Sequence, residues 1–142
     1  MTDAIISSIS PQAICELLQR RGFRASILEG SDGPIVESAT EGLTFQVRFR
    51  SVPTSDGTWS DWTNVLVVRL DTQIDSGFVD TWNRTWRYGR LSISENHLLL
   101  AMDVSIAGGV TEEHIRVQNQ VWDKLVRKLA AELRHAIASD AA

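Results

Sequence analysis

The chain has 142 residues, 43% of them apolar and 23% charged, with a formal net charge of −4. This composition excludes a disordered chain, the length suits one domain, and the negative charge disfavours bulk binding to nucleic acid or acidic membrane surfaces. A single cysteine, Cys15, excludes an internal disulfide, and no apolar run approaches the roughly 18 residues needed to span a bilayer.

Residues 1–11 carry neither the basic start nor the sustained apolar stretch of a secretory signal, so cytoplasm is the expected location. Ser10 and Pro11 read as the N-cap and first position of a first helix, with Ile9 placed to staple onto Ile14. Gly22 supplies a left-handed stop, and Phe23 falls where a Schellman turn would fold it back on Leu18. The period then switches to two. Residues 24–29 and 35–39 flank a turn-rich stretch at 30–34, which predicts a hairpin with a five-residue loop. After Glu41 and Gly42, apolar Leu43, Phe45, Val47 and Phe49 alternate with Thr44, Gln46, Arg48 and Arg50, a third strand with one core face and one wet face. Residues 63–70 predict a fourth strand. It is apolar on both faces at Val65, Leu66, Val67 and Val68, so it belongs centrally or beneath a helix.

Asp75 caps a second helix, with Ile74 reaching Val79 and Gly89 as its expected left-handed stop. Residues 90–94 and 97–106 follow as a second hairpin across Glu95 and Asn96. Thr111 caps a third helix over residues 111–138, roughly 40 Å long, with Val110 reaching Ile115 and with Glu112 and Glu113 at the positive end of its dipole. Its apolar face holds Ile115, Trp122, Leu125, Val126, Leu129, Leu133 and Ile137, and Lys124, Arg127, Lys128 and Arg134 sit toward the negative end. The order α-β-β-β-β-α-β-β-α predicts an α+β fold: an antiparallel sheet of five to six strands with three helices largely on one face. A single domain, residues 1–142 with a core at about 10–138, is expected.

The chemistry-bearing residues do not assemble into a reaction. His97, His114, His135 and Cys15 lie far apart and lack the spacing of a zinc site, so no metal and no cofactor is expected. No nucleophile elbow is present, and Cys15 falls inside a helix between Ile14 and Glu16. Gly108 and Gly109 precede a helix start, but Glu112 and Glu113 would repel a phosphate there. The most unusual segment is residues 81–90, where Arg84, Arg87 and Arg90 share ten positions with Trp82, Trp86 and Tyr88. Trp82 and Trp86 fall on one helical face, and Asp80 can pair with Arg84. Two readings stand: the tryptophans are core and the arginines pair with strand carboxylates such as Asp103, or the segment is a basic, aromatic surface for an acidic partner. Trp59 and Trp62, in a polar loop, likewise either mark an exposed binding surface or begin the fourth strand and cover the sheet edge.

These pieces, in their order, resemble the YbjN family of bacterial domains, described as bacterial sensory transduction regulators. The resemblance covers about residues 12–130. It rests on the helix leading into Arg21-Gly22-Phe23-Arg24-Ala25, on Phe45 to Phe49 after Glu41-Gly42-Leu43, on Trp82-Asn83-Arg84 with Arg87-Tyr88-Gly89-Arg90, and on Met102-Asp103 followed by residues 107–113. It implies a fold similar to type III secretion chaperones, no enzymatic activity and no cofactor. The segment 59–62 departs from the family pattern, as does the extension of the third helix beyond the matched region. An apolar stripe outlasting its own sheet would favour self-association through that helix. The reading that follows is a non-enzymatic, chaperone-like protein-binding or regulatory domain, a homodimer with an unknown protein partner and no nucleic-acid or membrane partner. Trp82, Asn83, Arg84, Arg87, Arg90, Asp103, Trp59 and Trp62 are its candidate residues. The alternative is a small-molecule sensor or enzyme with a pocket between the second helix and the sheet.

Overall fold

Capping chemistry sets the frame of the molecule. The computed structural model describes residues 4–141, with side chains to residue 136. Helix α1 (Pro11–Arg20) starts where Ser10 accepts a hydrogen bond from the Ala13 N–H at 3.1 Å. It ends in a Schellman turn: Gly22 is left-handed at φ 88°, its N–H donates to Gln19 O, and Phe23 N–H donates to Leu18 O. Asp75 caps α2 (Ser76–Thr85) through Gly77 N–H, and Thr111 caps α3 (Glu112–Ala141) through His114 N–H. Ile137, placed on the apolar face of α3 by its spacing, lies outside the described side chains.

Strands β1 (Ala25–Gly30), β2 (Gly33–Thr40), β3 (Leu43–Arg48), β4 (Asp61–Arg69), β5 (Arg90–Ser94) and β6 (His97–Ser105) form one antiparallel sheet in the order β1-β2-β3-β4-β6-β5. The first hairpin is tighter than predicted. Gly30 pairs with Gly33 across only Ser31 and Asp32, and Gly33 takes φ 130°, a backbone that glycine adopts without a Cβ penalty. Glu41 and Gly42, both at positive φ, make the type I′ turn that joins β2 to β3. β4 starts two residues earlier than predicted and is central, as its two-sided apolarity required.

All three helices lie on one face, against Val36, Phe45, Val47, Trp62, Leu66, Leu98, Leu100 and Met102. α1 rests on β1 and β2, α2 on β5, and α3 on β2 and β6. Trp122 of α3 meets Phe45 edge-on at 5.7 Å. The same helix holds the β2–β3 turn, with Thr40 donating to Asp123 at 2.6 Å and Arg127 paired to Glu41 at 2.7 Å. Ile115, Trp122, Leu125, Val126, Leu129 and Leu133 are all buried against the chain's own sheet and helices. To Leu133 the stripe therefore does not outlast its sheet. Cys15 is buried on α1, where burial, and then the neighbouring Glu16 carboxylate, push its thiol above the ordinary range.

On the opposite face, alternation brings out Ser26, Leu28, Thr44, Val67, Asp103 and Arg90, and all of these are exposed. The architecture is an open sheet covered on one side.

Candidate functional site

The ten residues from Thr81 to Arg90 separate into an inner and an outer set. Trp82 is 3% exposed and belongs to the core, so the core reading holds for this ring. Trp86 is half-buried, 5.8 Å from Trp82 between ring centroids, with the Lys128 ammonium 4.9 Å above it. Asn83 works on the backbone. Its Nδ2 donates to Leu91 O at 2.9 Å, and its Oδ1 accepts from Leu91 N–H at 2.8 Å. Leu91 lies on β5, the last strand of the sheet, so the amide takes the place a seventh strand would otherwise fill.

The arginines divide as well. Arg84 pairs with Asp80 along the exposed face of α2, at the spacing read from the sequence. Arg90 reaches Asp103 at 2.7 Å on the uncovered sheet face, and Thr63 donates to the other oxygen of the same carboxylate. The Arg90 hydrogen bond, then that from Thr63, hold the Asp103 carboxyl below the usual carboxylate range. Arg87 is exposed and has no ion pair among the described residues.

The turn leaving α2 corrects the sequence reading. The helix ends at Thr85 with Trp86 already extended, and the left-handed residue is Tyr88, at φ 75°, not Gly89. Gly89 is needed for closeness instead. A Cβ there would stand 3.0 Å from Leu125 Cδ1 and 3.1 Å from Leu100 Cδ1. Pinned by Gly89 on one side and Trp86 on the other, Tyr88 keeps a backbone that costs a bulky residue about 1–2 kcal/mol, with its side chain turned to solvent. The aromatic-arginine clustering marked the segment, but nothing in the sequence distinguished Tyr88 from its neighbours.

Trp59 and Trp62 are both buried. Trp62 lies on the core face of β4, and Trp59 bridges the N-terminal segment, exchanging backbone bonds with Ile9 and donating its Nε1–H to Ser51 O at 2.9 Å. Phe49 packs against both rings. They cover the core and offer no exposed surface. A cleft of about 540 Å³ opens between α2 and α3, lined by Ile74, Phe78, Trp82, Trp86 and Glu132 among others. The pocket expected between the second helix and the sheet is thus displaced to the helix pair, because Trp82 and Gly89 close the space above β5. Among the described residues, no three His, Cys, Asp or Glu side chains gather closely enough to hold a metal ion. Among them, too, no helix is long and apolar enough to cross a membrane.

Compared with known proteins, residues 10–135 match the family model YbjN, whose description is "Putative bacterial sensory transduction regulator". No curated protein and no solved structure matches the chain.

Proposed function

The chain belongs to the YbjN family, and from that premise we propose that it is a non-enzymatic regulatory domain that holds an extended segment of a partner protein against its sheet. The family description supports the regulatory part of this reading. The observation that carries the binding part is the asymmetry of the sheet's ends. Asn83 occupies the β5 edge, while β1 pairs only with β2 among the described residues. Leu28, 42% exposed on the uncovered face of β1, is the side chain an added strand would cover. A second copy of the chain can use the same edge, so we also propose a homodimer through β1.

The test is affinity capture by the full chain from native lysate at two salt concentrations, with mass-spectrometric identification, beside light-scattering measurement of the purified protein's mass. A stoichiometric partner, or a dimer, that is lost in Leu28→Lys without loss of folding supports the reading. A monomer that captures nothing, or capture indifferent to Leu28→Lys, overturns it.

The cleft between α2 and α3 favours a second reading, a small-molecule sensor, since its volume and aromatic walls suit a compact ligand. A metabolite that raises the melting temperature of the protein, but not of Phe78→Ala, would support that reading over the first.

A further inference from the structure

A second contact surface lies at the far end of the sheet from β1, and it goes beyond the strand-addition reading. We propose that the turn Trp86-Arg87-Tyr88-Gly89, together with the adjoining turn of α3 that carries Lys124 and Lys128, binds an acidic peptide segment of a partner protein.

Three observations place these groups together and say what they would bind. First, the turn is fixed to α3 at two points, by Lys128 over the Trp86 ring at 4.9 Å and by Gly89 seated against Leu125. Lys124 precedes Leu125 and stands one helical turn from Lys128, so the chain's only two lysines flank the turn. Second, charge is locally reversed. The whole chain carries −4, yet residues 81–90 contain three arginines and no acid. Asp80 is engaged by Arg84, Glu132 faces Lys128 at 3.6 Å, and Asp103 is engaged by Arg90. Arg87 and Lys124 have no ion pair among the described residues and are free to meet carboxylates.

Third, the turn keeps a strained residue whose side chain lies mostly in solvent. Tyr88 is 68% exposed at φ 75°, a conformation glycine would adopt without cost. Backbones held in this region by their surroundings cluster at binding sites, and an exposed aromatic beside cations is a common anchor of protein interfaces. The side chain of Tyr88 supplies contact area while Arg87 and Lys124 supply direction.

Selection of random twelve-residue peptides displayed on phage against the full-length protein tests this, followed by binding of the enriched peptides to variants. The expected result is enrichment of acidic peptides whose affinity falls about tenfold or more in Tyr88→Gly and in Arg87→Glu, and weakens with salt. Tyr88→Gly should at the same time keep or raise the melting temperature, because it relieves the left-handed strain. Peptides that are not acidic, or that bind both variants like the parent protein, overturn the proposal. Peptides lost in Leu28→Lys but kept in Arg87→Glu overturn it while sustaining strand addition at β1. No enrichment at all overturns the proposal for this turn.

Discussion

The two edges of the sheet are the same problem solved in opposite ways. Any edge strand presents backbone donors and acceptors to whatever strand comes near. At β5, Asn83 supplies an acceptor and a donor at the spacing of a peptide group, and the edge is closed at Leu91. At β1, the nearest counterpart is Gln19, whose Nε2 donates to Ala25 O at one end of the strand and to Cys15 Sγ on its own helix, and which offers the strand no acceptor. One edge is therefore built into the fold through α2, whereas the other carries no pairing strand among the described residues. The difference is one of closure: a side-chain amide fills one edge at Leu91, and no described strand fills the other.

Removing the plug is the severest test of this contrast. Asn83→Leu leaves the part-buried N–H and C=O of Leu91 unpaired, and should cost about 2–3 kcal/mol and lower the melting temperature by roughly 5–10 °C. The variant should also self-associate through β5, which light scattering at rising concentration would reveal. Gly89→Ala tests the seat beside the plug. Its Cβ must displace Leu125 or Leu100, at an expected cost of about 1–3 kcal/mol measured by urea unfolding.

Asp103→Asn sharpens the comparison on the uncovered face, where smaller effects are expected because both members of its ion pair are well exposed. Asp103 has a depressed carboxyl in the folded chain, so its contribution is present above the unfolded value near 3.9 and is lost as pH falls through the lower folded value. Denaturation across pH should show a small deficit in the variant at neutral pH that begins to shrink at about pH 4 and vanishes only below the depressed folded value. Least of all, Leu28→Lys on β1 should change stability by under about 0.5 kcal/mol, while adding a charge that repels strand pairing.

Much of this arrangement was legible in the sequence, for reasons that can be named. Caps at Ser10, Asp75 and Thr111 act within a few residues, so their signals survive without any tertiary context. Strict alternation from Leu43 to Phe49 assigned a buried face, and the two-sided apolarity of residues 65–68 assigned a central strand. Where contact between distant segments decides, the sequence was silent. Gly89 looked like a helix stop because glycine usually is one there, but its reason is Leu125, thirty-six positions later. Asn83 was noticed as part of a motif, yet its two bonds to Leu91 need the return of β5 beneath α2. The polar neighbours of Trp59 and Trp62 leave their exposure open in the sequence. Their burial depends on Ile9 and Phe49, which the chain brings alongside.

The buried thiol of Cys15 gives the molecule a clock. As the chain's one cysteine, set on the inner side of α1 with its ionisation suppressed, it can react with a disulfide reagent only after the helix lifts from β1 and β2. When reclosure is fast, the rate of modification reports the equilibrium population of that opening; when modification is fast, it reports the opening rate itself. A helix lying over the unplugged end of the sheet thus carries its own label for how often that end comes apart.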